Sequence, residues 1–162
     1  MSVAGLVGLL SLTALIAPSG ASAQTAGSCS GHLTFRQAVY LGNTANPTHP
    51  PTMIGELRVY YSPGAGGTNT ACFYHRGPAV GVSSRTSVTI EKCRESVGNG
   101  KSPCTKLTTM TDPDVGTIKS YSKFAGPVRV IGTNRHCVYA SGYLFYQGKP
   151  YRVQPTGRFG CS

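Results

Sequence analysis

Short segments in which apolar and polar residues alternate are the feature that most constrains what this chain can fold into. Residues 124–153 contain such runs, separated by turn residues at 132–134 and 147–150, and predict three short strands. Residues 54–61 and 70–76 flank a glycine-rich turn and predict an antiparallel hairpin. No long segment has the 3.6-residue period of a helix. The pattern therefore predicts an all-β fold, either a small antiparallel sandwich or a partly closed barrel.

The remaining segments are less uniform in what they predict. Residues 83–93 form the clearest strand, because one face is rich in β-branched residues and the other is polar. Cys93 falls on the polar face, which predicts a disulfide at the surface. Residues 33–41 fit either a strand or one turn of helix, and residues 105–116 are interpreted as a connection that ends in the turn sequence TDPDVG. Three prolines in residues 43–52 predict an irregular loop.

The first 23 residues have the pattern of a cleaved signal peptide. An uncharged apolar run at residues 3–17 is followed by a break and by the small-residue sequence Ala-Ser-Ala at 21–23. Cleavage there leaves residues 24–162 as a single secreted β domain. No second hydrophobic segment follows, so we expect a released protein with no membrane association after cleavage.

The six cysteines all lie beyond the predicted signal peptide, and an even number in an exported chain predicts three disulfides. No Cys-x-x-Cys motif is present and the spacings are unlike those of zinc sites, so no metal or cofactor is predicted. Six cysteines can pair in many ways. The preferred scheme closes one short loop, ties the chain end to the central strands, and joins the remaining two. Its pairs are Cys93 with Cys104, Cys137 with Cys161, and Cys29 with Cys72.

Several local strings match a pattern known from one protein family. The most specific is SYSKFAGPVRVIGTNRHCV at residues 120–138. Weaker matches are LRVYYSPGAGGTNTACFYH at 57–75, SSRTSVTIE at 83–91, and GRFGCS at 157–162. Together they cover most of the mature chain, which resembles the small exported actinobacterial family of spore-associated protein A.

The resemblance implies an exported, β-rich protein associated with the spore surface. It supplies no catalytic or ligand residues. The family pattern of four cysteines maps onto Cys29, Cys72, Cys137 and Cys161. Cys93 and Cys104, with the loop between them, are then an addition.

The acid–base residues are too few and too scattered to indicate an enzyme, and no catalytic residue is predicted. The chain has five carboxylates and four histidines, and none of the common catalytic or nucleotide-binding motifs. Glu56, His75 and Arg58 lie on adjacent predicted strands and could serve a ribonuclease, although ordinary polar residues on a solvated sheet explain them more simply. Asp112 and Asp114 flank a proline, and a plain turn explains them better than a calcium loop.

The formal net charge of +10 is the strongest indication of a partner. Basic residues interleaved with aromatic residues near the C-terminus can bind phosphate-bearing polymers. The candidate partners are an anionic wall polymer, the spore surface or nucleic acid. The competing interpretation is that scattered cations keep an exported β protein soluble. The predicted contact residues are Arg129, Arg135, Lys149, Arg152, Arg158, Tyr146 and Tyr151.

A protease inhibitor is a further candidate, because residues 94–103 could present Lys101 on a disulfide-braced loop. Two glycines make that loop flexible, whereas inhibition favours a preorganised one, so this hypothesis ranks below polyanion binding. The sequence therefore predicts a secreted, non-enzymatic extracellular protein associated with the spore or the cell wall. Polyanion binding is the alternative function, and ribonuclease or inhibitor activity ranks lower.

Overall fold

The computed structural model describes residues 29–42, 51–98 and 104–161. They form two antiparallel sheets that are not closed into a barrel, so the all-β prediction is confirmed and takes its sandwich form. The strands are β1 (His32–Leu41), β2 (Thr52–Ser62), β3 (Thr68–His75), β4 (Ser84–Cys93), β5 (Lys106–Asp112), β6 (Ser120–Tyr121), β7 (Phe124–Ile131), β8 (Val138–Tyr146) and β9 (Lys149–Val153). The first sheet has the strand order β1-β2-β3-β7, and the second has β5-β4-β8-β9 with β6 paired to β4.

Three local predictions are decided by strand pairing. The ambiguous segment at 33–41 is part of β1, and the predicted hairpin is confirmed as β2 and β3. The interpretation of residues 105–116 as a connection was wrong, because Lys106–Asp112 pairs with β4 as an edge strand. Residues 106–110 are exposed and the segment is rich in threonine, so it lacks the apolar alternation that marks a half-buried strand.

The three strands predicted within residues 124–153 are present, but the first two belong to different sheets. β7 pairs with β3, whereas β8 lies between β4 and β9. Between them the backbone N–H groups of Thr133 and Asn134 donate to the carbonyls of Gly67 and Gly66 at 3.0 and 2.9 Å, which fixes the crossing. β8 and β9 form a hairpin through Gln147 and Gly148, whose positive φ angles of 48° and 75° suit a tight two-residue turn.

The core lies between the inner faces of the two sheets and is centred on one ring. Phe73 of β3 is fully buried and packs between Gly55 of β2 and Gly142 of β8. β-Branched and leucine side chains make up most of the same buried cluster. Its other large, fully buried members are Ile54, Leu57, Val59, Val88, Ile90, Val138, Leu144 and Val153.

The preferred disulfide scheme is confirmed in all three pairs: Cys29–Cys72, Cys93–Cys104 and Cys137–Cys161. The prediction of a surface location for Cys93 was wrong, since this residue is fully buried. Its N–H donates to the Cys137 carbonyl at 2.9 Å, and the Cys137 N–H donates to the Glu95 carbonyl at 2.6 Å. The chain that follows β4 therefore covers the end of the strand.

Three predictions lie outside the described residues: the signal peptide at 1–23, residues 43–50 of the proline-rich loop predicted at 43–52, and Lys101 of the inhibitor loop. The last residue of that predicted loop, Thr52, is the first of β2. Across the described ranges, no helix is long and apolar enough to cross a membrane.

Candidate anion-binding groove

The outer face of the second sheet carries arginines, aromatic rings and hydroxyl groups. Alternation along β4 turns Val88 and Ile90 into the core and places Arg85, Ser87 and Thr89 outside. The sheet register aligns Ser87 with Tyr143 and Tyr143 with Arg152, and it aligns Thr89 with Ser141. Residues far apart in the sequence therefore meet on one surface.

Two arginines on this face are held against aromatic rings. The Arg85 guanidinium carbon lies 4.5 Å from the centroid of the Phe145 ring, and that of Arg152 lies 5.8 Å from the Tyr143 centroid. Both distances fall within the range of favourable cation–π contacts. The contacts restrict the side chains while their hydrogen-bond donors stay accessible to a ligand.

Two depressions of about 140 and 280 Å³ adjoin on this face, since Ser87 and Tyr143 line both. We call the continuous depression the groove. Its described lining contains three cations and no carboxylate. The side chains that line it include Arg85, Ser87, Thr89, Thr117, Ile118, Lys119, Ser141, Tyr143, Arg152 and Gln154.

Four of the five carboxylates are engaged away from the groove. Glu91 pairs with Lys106 at 2.7 Å, and this hydrogen bond and charge raise the pKa of Lys106. Glu95 accepts the Thr105 N–H at 3.1 and 3.2 Å. The ion pairs of the described residues involve Arg58, Arg76 and Lys106, so none of them joins a groove cation to a carboxylate.

Asp112 is engaged in the same way. It accepts the Tyr121 hydroxyl and, at 2.6 Å, the Gly126 N–H. Burial first, and then the bond to Asp112, raise the pKa of the Tyr121 phenol. Both oxygens of Asp112 thus accept hydrogen bonds from the protein, whereas Asp114 is exposed.

A second basic cluster, on the outer face of the first sheet, is partly neutralised by one buried carboxylate. The carboxylate of buried Glu56 accepts from Arg58 and Arg76, with N–O distances of 2.8 Å in both pairs. Desolvation raises the pKa of Glu56, but the two arginines outweigh it and hold that pKa below 4.5. Both guanidiniums also lie over the Tyr74 ring, at 5.5 and 4.9 Å from its centroid. Burial and a hydrogen bond with Tyr60 raise the pKa of Tyr74 to about 12.

His75 does not join this cluster. It is buried on the opposite face of β3, where Nδ1 lies 3.1 Å from the Ala79 carbonyl and Nε2 lies 2.7 Å from the Thr86 hydroxyl. Desolvation lowers the pKa of His75, which favours the neutral ring. The structure thus brings Glu56 and Arg58 together but separates His75 from both.

Cys93, Glu95 and Cys104 bring three potential metal ligands within 4.8 Å of one another. Both sulfurs are joined in a disulfide, so the group offers a single carboxylate. This is no basis for a metal site.

The seven residues predicted to contact a polyanion do not form one surface. Arg152 lies in the groove and Lys149 is exposed at the start of β9, whereas Arg129 is exposed on the first sheet. Tyr146 is buried and donates its hydroxyl to the Pro78 carbonyl at 3.2 Å. The other three are dispersed. Arg158 donates to the Val97 carbonyl at 2.9 and 3.1 Å, Tyr151 packs against the core, and Arg135 is exposed between β7 and β8.

Sequence reasoning missed Arg85 and Lys119 as groove residues. They lie about 30 to 70 positions from Arg152 in the chain. Arg85 is brought to it by the pairing of β4 with β8 and of β8 with β9. Lys119 is brought to β4 by the pairing of β6 and by its carbonyl, which accepts the Thr86 N–H. The alternation along β4 could have predicted that Arg85 lies on the outer face of the sheet, but alternation does not predict which strand pairs with β4.

The fold and the groove define a disulfide-braced antiparallel β sandwich with a cationic, hydroxyl-lined outer face. Comparisons with protein-family models, with curated proteins and with solved structures found no match.

Proposed function

We propose that this protein is a secreted, non-enzymatic protein that binds phosphate-bearing polyanions in the groove. The observation that carries the proposal is the grouping of Arg85, Lys119 and Arg152 in a lining without carboxylates. Phosphate groups are the natural counterpart of such a surface, because arginine presents a fork of donors that matches them.

The arginine–ring contacts favour binding. Arg85 and Arg152 are already restricted by Phe145 and Tyr143, so less side-chain entropy is lost when a ligand binds. Hydroxyls of Ser87, Thr89 and Ser141 add donors and acceptors beside the cations. The net charge of +10 would also accelerate encounter with a polyanion.

The extracellular location is part of the proposal. Three disulfides suit an oxidising compartment, and the resemblance to the spore-associated family suggests the spore surface or wall. Fractionating culture medium, wall, spores and cell lysate tests this directly. Recovery of the protein from the lysate alone would contradict it.

The binding proposal is tested by fluorescence anisotropy with labelled phosphodiester oligomers over a range of salt concentrations. Arg85→Ala and Arg152→Ala should each weaken binding about fivefold, as expected for loss of a solvent-exposed ion contact. The plot of log K against log salt should become shallower by about one phosphate contact for each variant.

Arg36→Ala is the matched control, because Arg36 is exposed on β1 in the other sheet and its removal lowers the net charge equally. It should change the affinity less than twofold, with the charge effect screened over a Debye length of about 8 Å. Absence of binding at low salt would reject the proposal. An equal effect of Arg36→Ala and Arg85→Ala would reject the groove as the site.

A further inference from the structure

A third depression, of about 540 Å³, continues the groove around the side of the sandwich. It lies between β5 and β7, and it shares Pro113, Thr117 and Lys119 with the groove. Arg129 lines the third depression and not the groove. The three depressions therefore form one path from Arg152 to Arg129, which we call the extended path.

Cations are distributed along the extended path. Arg152 and Arg85 approach β8 from β9 and β4 on either side, Lys119 lies at the junction, and Arg129 is exposed on β7. Of the two carboxylates in the third depression, Asp112 has both oxygens hydrogen-bonded. A chain with several separated negative charges fits this distribution better than a single small anion.

The chemistry between the cations favours sugar or polyol groups over bases. Proteins that bind single-stranded nucleic acid stack the bases on exposed aromatic rings. Tyr143 is the one aromatic ring in the described lining of the path, and the Arg152 guanidinium lies over it. Between the cations the lining combines apolar side chains, such as Met110 and Ile118, with hydroxyl groups, which hydrogen-bond to other hydroxyls and to phosphate oxygens. Those that line the path are Ser87, Thr89, Thr111, Thr117 and Ser141.

We infer that the ligand is a flexible polyol phosphate chain without bases, lying along the extended path from Arg152 to Arg129. The inference rests on the proposed function and specifies its ligand. Flexibility is required because the path turns from the outer face of the second sheet to the open side between β5 and β7. A stiff duplex cannot follow this turn, since its persistence length is about 50 nm.

The class of ligand is tested with three probes that carry the same number of phosphates: poly(glycerol phosphate), oligothymidylate and an abasic deoxyribose phosphate oligomer. Isothermal titration calorimetry of the intact, oxidised protein at one salt concentration gives the three affinities. Poly(glycerol phosphate) and the abasic oligomer should bind at least as tightly as oligothymidylate.

Tighter binding of oligothymidylate than of the abasic oligomer, by about tenfold or more, would show base stacking and overturn the inference while leaving the proposed function intact. Failure of all three probes to bind would reject the proposed function, and the inference with it. The two failures are thus distinguished in one experiment.

The course of the path is tested with Arg129→Ala against poly(glycerol phosphate) of two lengths. The variant should weaken binding of a long chain about fivefold and leave a short oligomer that fills only the groove unchanged. Arg85→Ala should weaken both lengths. Arg129 is exposed, so its replacement should not disturb folding, which circular dichroism checks. Equal effects of Arg129→Ala on both lengths, or no effect on the long chain, would overturn the path.

Discussion

Replacement of Gly142 by alanine is expected to destabilise the sandwich through a single steric contact. Gly142 faces the core from β8, and a Cβ built there would lie 2.0 Å from Cδ2 of Phe73 and 2.7 Å from its Cε2. Phe73 has little room to move away, because the other edge of its ring packs closely on the backbone of Gly55, where a Cβ would lie 2.8 Å from Cε1 and Cζ. The ring fills the gap that two glycines from opposite sheets leave.

The magnitude follows from this geometry. Extra methyl groups in a packed core cost about 1–3 kcal/mol, and the upper end applies where backbone confines the displaced side chain. Expulsion of Phe73 would approach the cost of its truncation, about 3–5 kcal/mol. We therefore expect Gly142→Ala to lower the free energy of unfolding by about 3 kcal/mol. Gly64→Ala is the control, since nothing lies within 4 Å of its Cβ position, and it should change stability by less than about 0.5 kcal/mol.

Urea unfolding followed by circular dichroism, with the disulfides intact, measures both variants. A Phe73→Leu substitution in the Gly142→Ala background should relieve the contact, so the double variant should lose less stability than the sum of the single variants. A Gly142→Ala protein within about 0.5 kcal/mol of the parent would refute the reasoning. Strict additivity with Phe73→Leu would also refute it, because it would place the cost elsewhere.

Three further outcomes are expected. The pKa of Glu56 is lower in the folded protein than its unfolded value of 4.5, so its ionised form stabilises the fold fully above pH 4.5, and this stability is lost as the pH falls through the folded pKa. The free energy of unfolding of Glu56→Gln, measured in urea at several pH values, should therefore fall less at acid pH than that of the parent. An identical acid dependence would contradict this. Removing the Cys29–Cys72 disulfide, whose cysteines are 43 residues apart, should lower the free energy of unfolding by about 4 kcal/mol, because the unfolded chain gains loop entropy. Removing Cys93–Cys104, with a separation of 11, should lower it by about 3 kcal/mol. The reverse order in thermal unfolding would exclude the loop-entropy explanation. Asp114→Asn should tighten binding of poly(glycerol phosphate) about twofold by removing an exposed carboxylate from the extended path, and weaker binding in calorimetry would argue against the path.

The fold class could be predicted because it depends on local pattern. Alternation and turn residues mark strands wherever one face is buried, as in Ser84–Cys93 and Val138–Tyr146. Lys106–Asp112 was missed because most of this edge strand is exposed and carries no apolar alternation. The local sequence pattern also could not predict that β7 and β8 lie in different sheets, because strand pairing depends on contacts between residues distant in the chain.

The candidate site was only partly predictable for the same reason. Arg152 was identified from local composition, whereas Arg85 and Lys119 join it through strand pairing. Tyr146 shows where a usable signal was overlooked. Tyr146 lies an even number of residues after Val138 and Ala140 in β8, so its side chain is on the same, buried face of the strand and not on the contact surface.

The distribution of charge, more than its total, supports a binding role. A surface selected for solubility alone intersperses both signs. Here Glu56 and Glu91 are each paired with a cation outside the groove, and no carboxylate lines the groove in the described part of the chain. On the outer face of the second sheet, Arg85 and Arg152 instead contact aromatic rings, which restrict their side chains without neutralising their charge. Such an arrangement retains an affinity for anions that internal ion pairs would have cancelled.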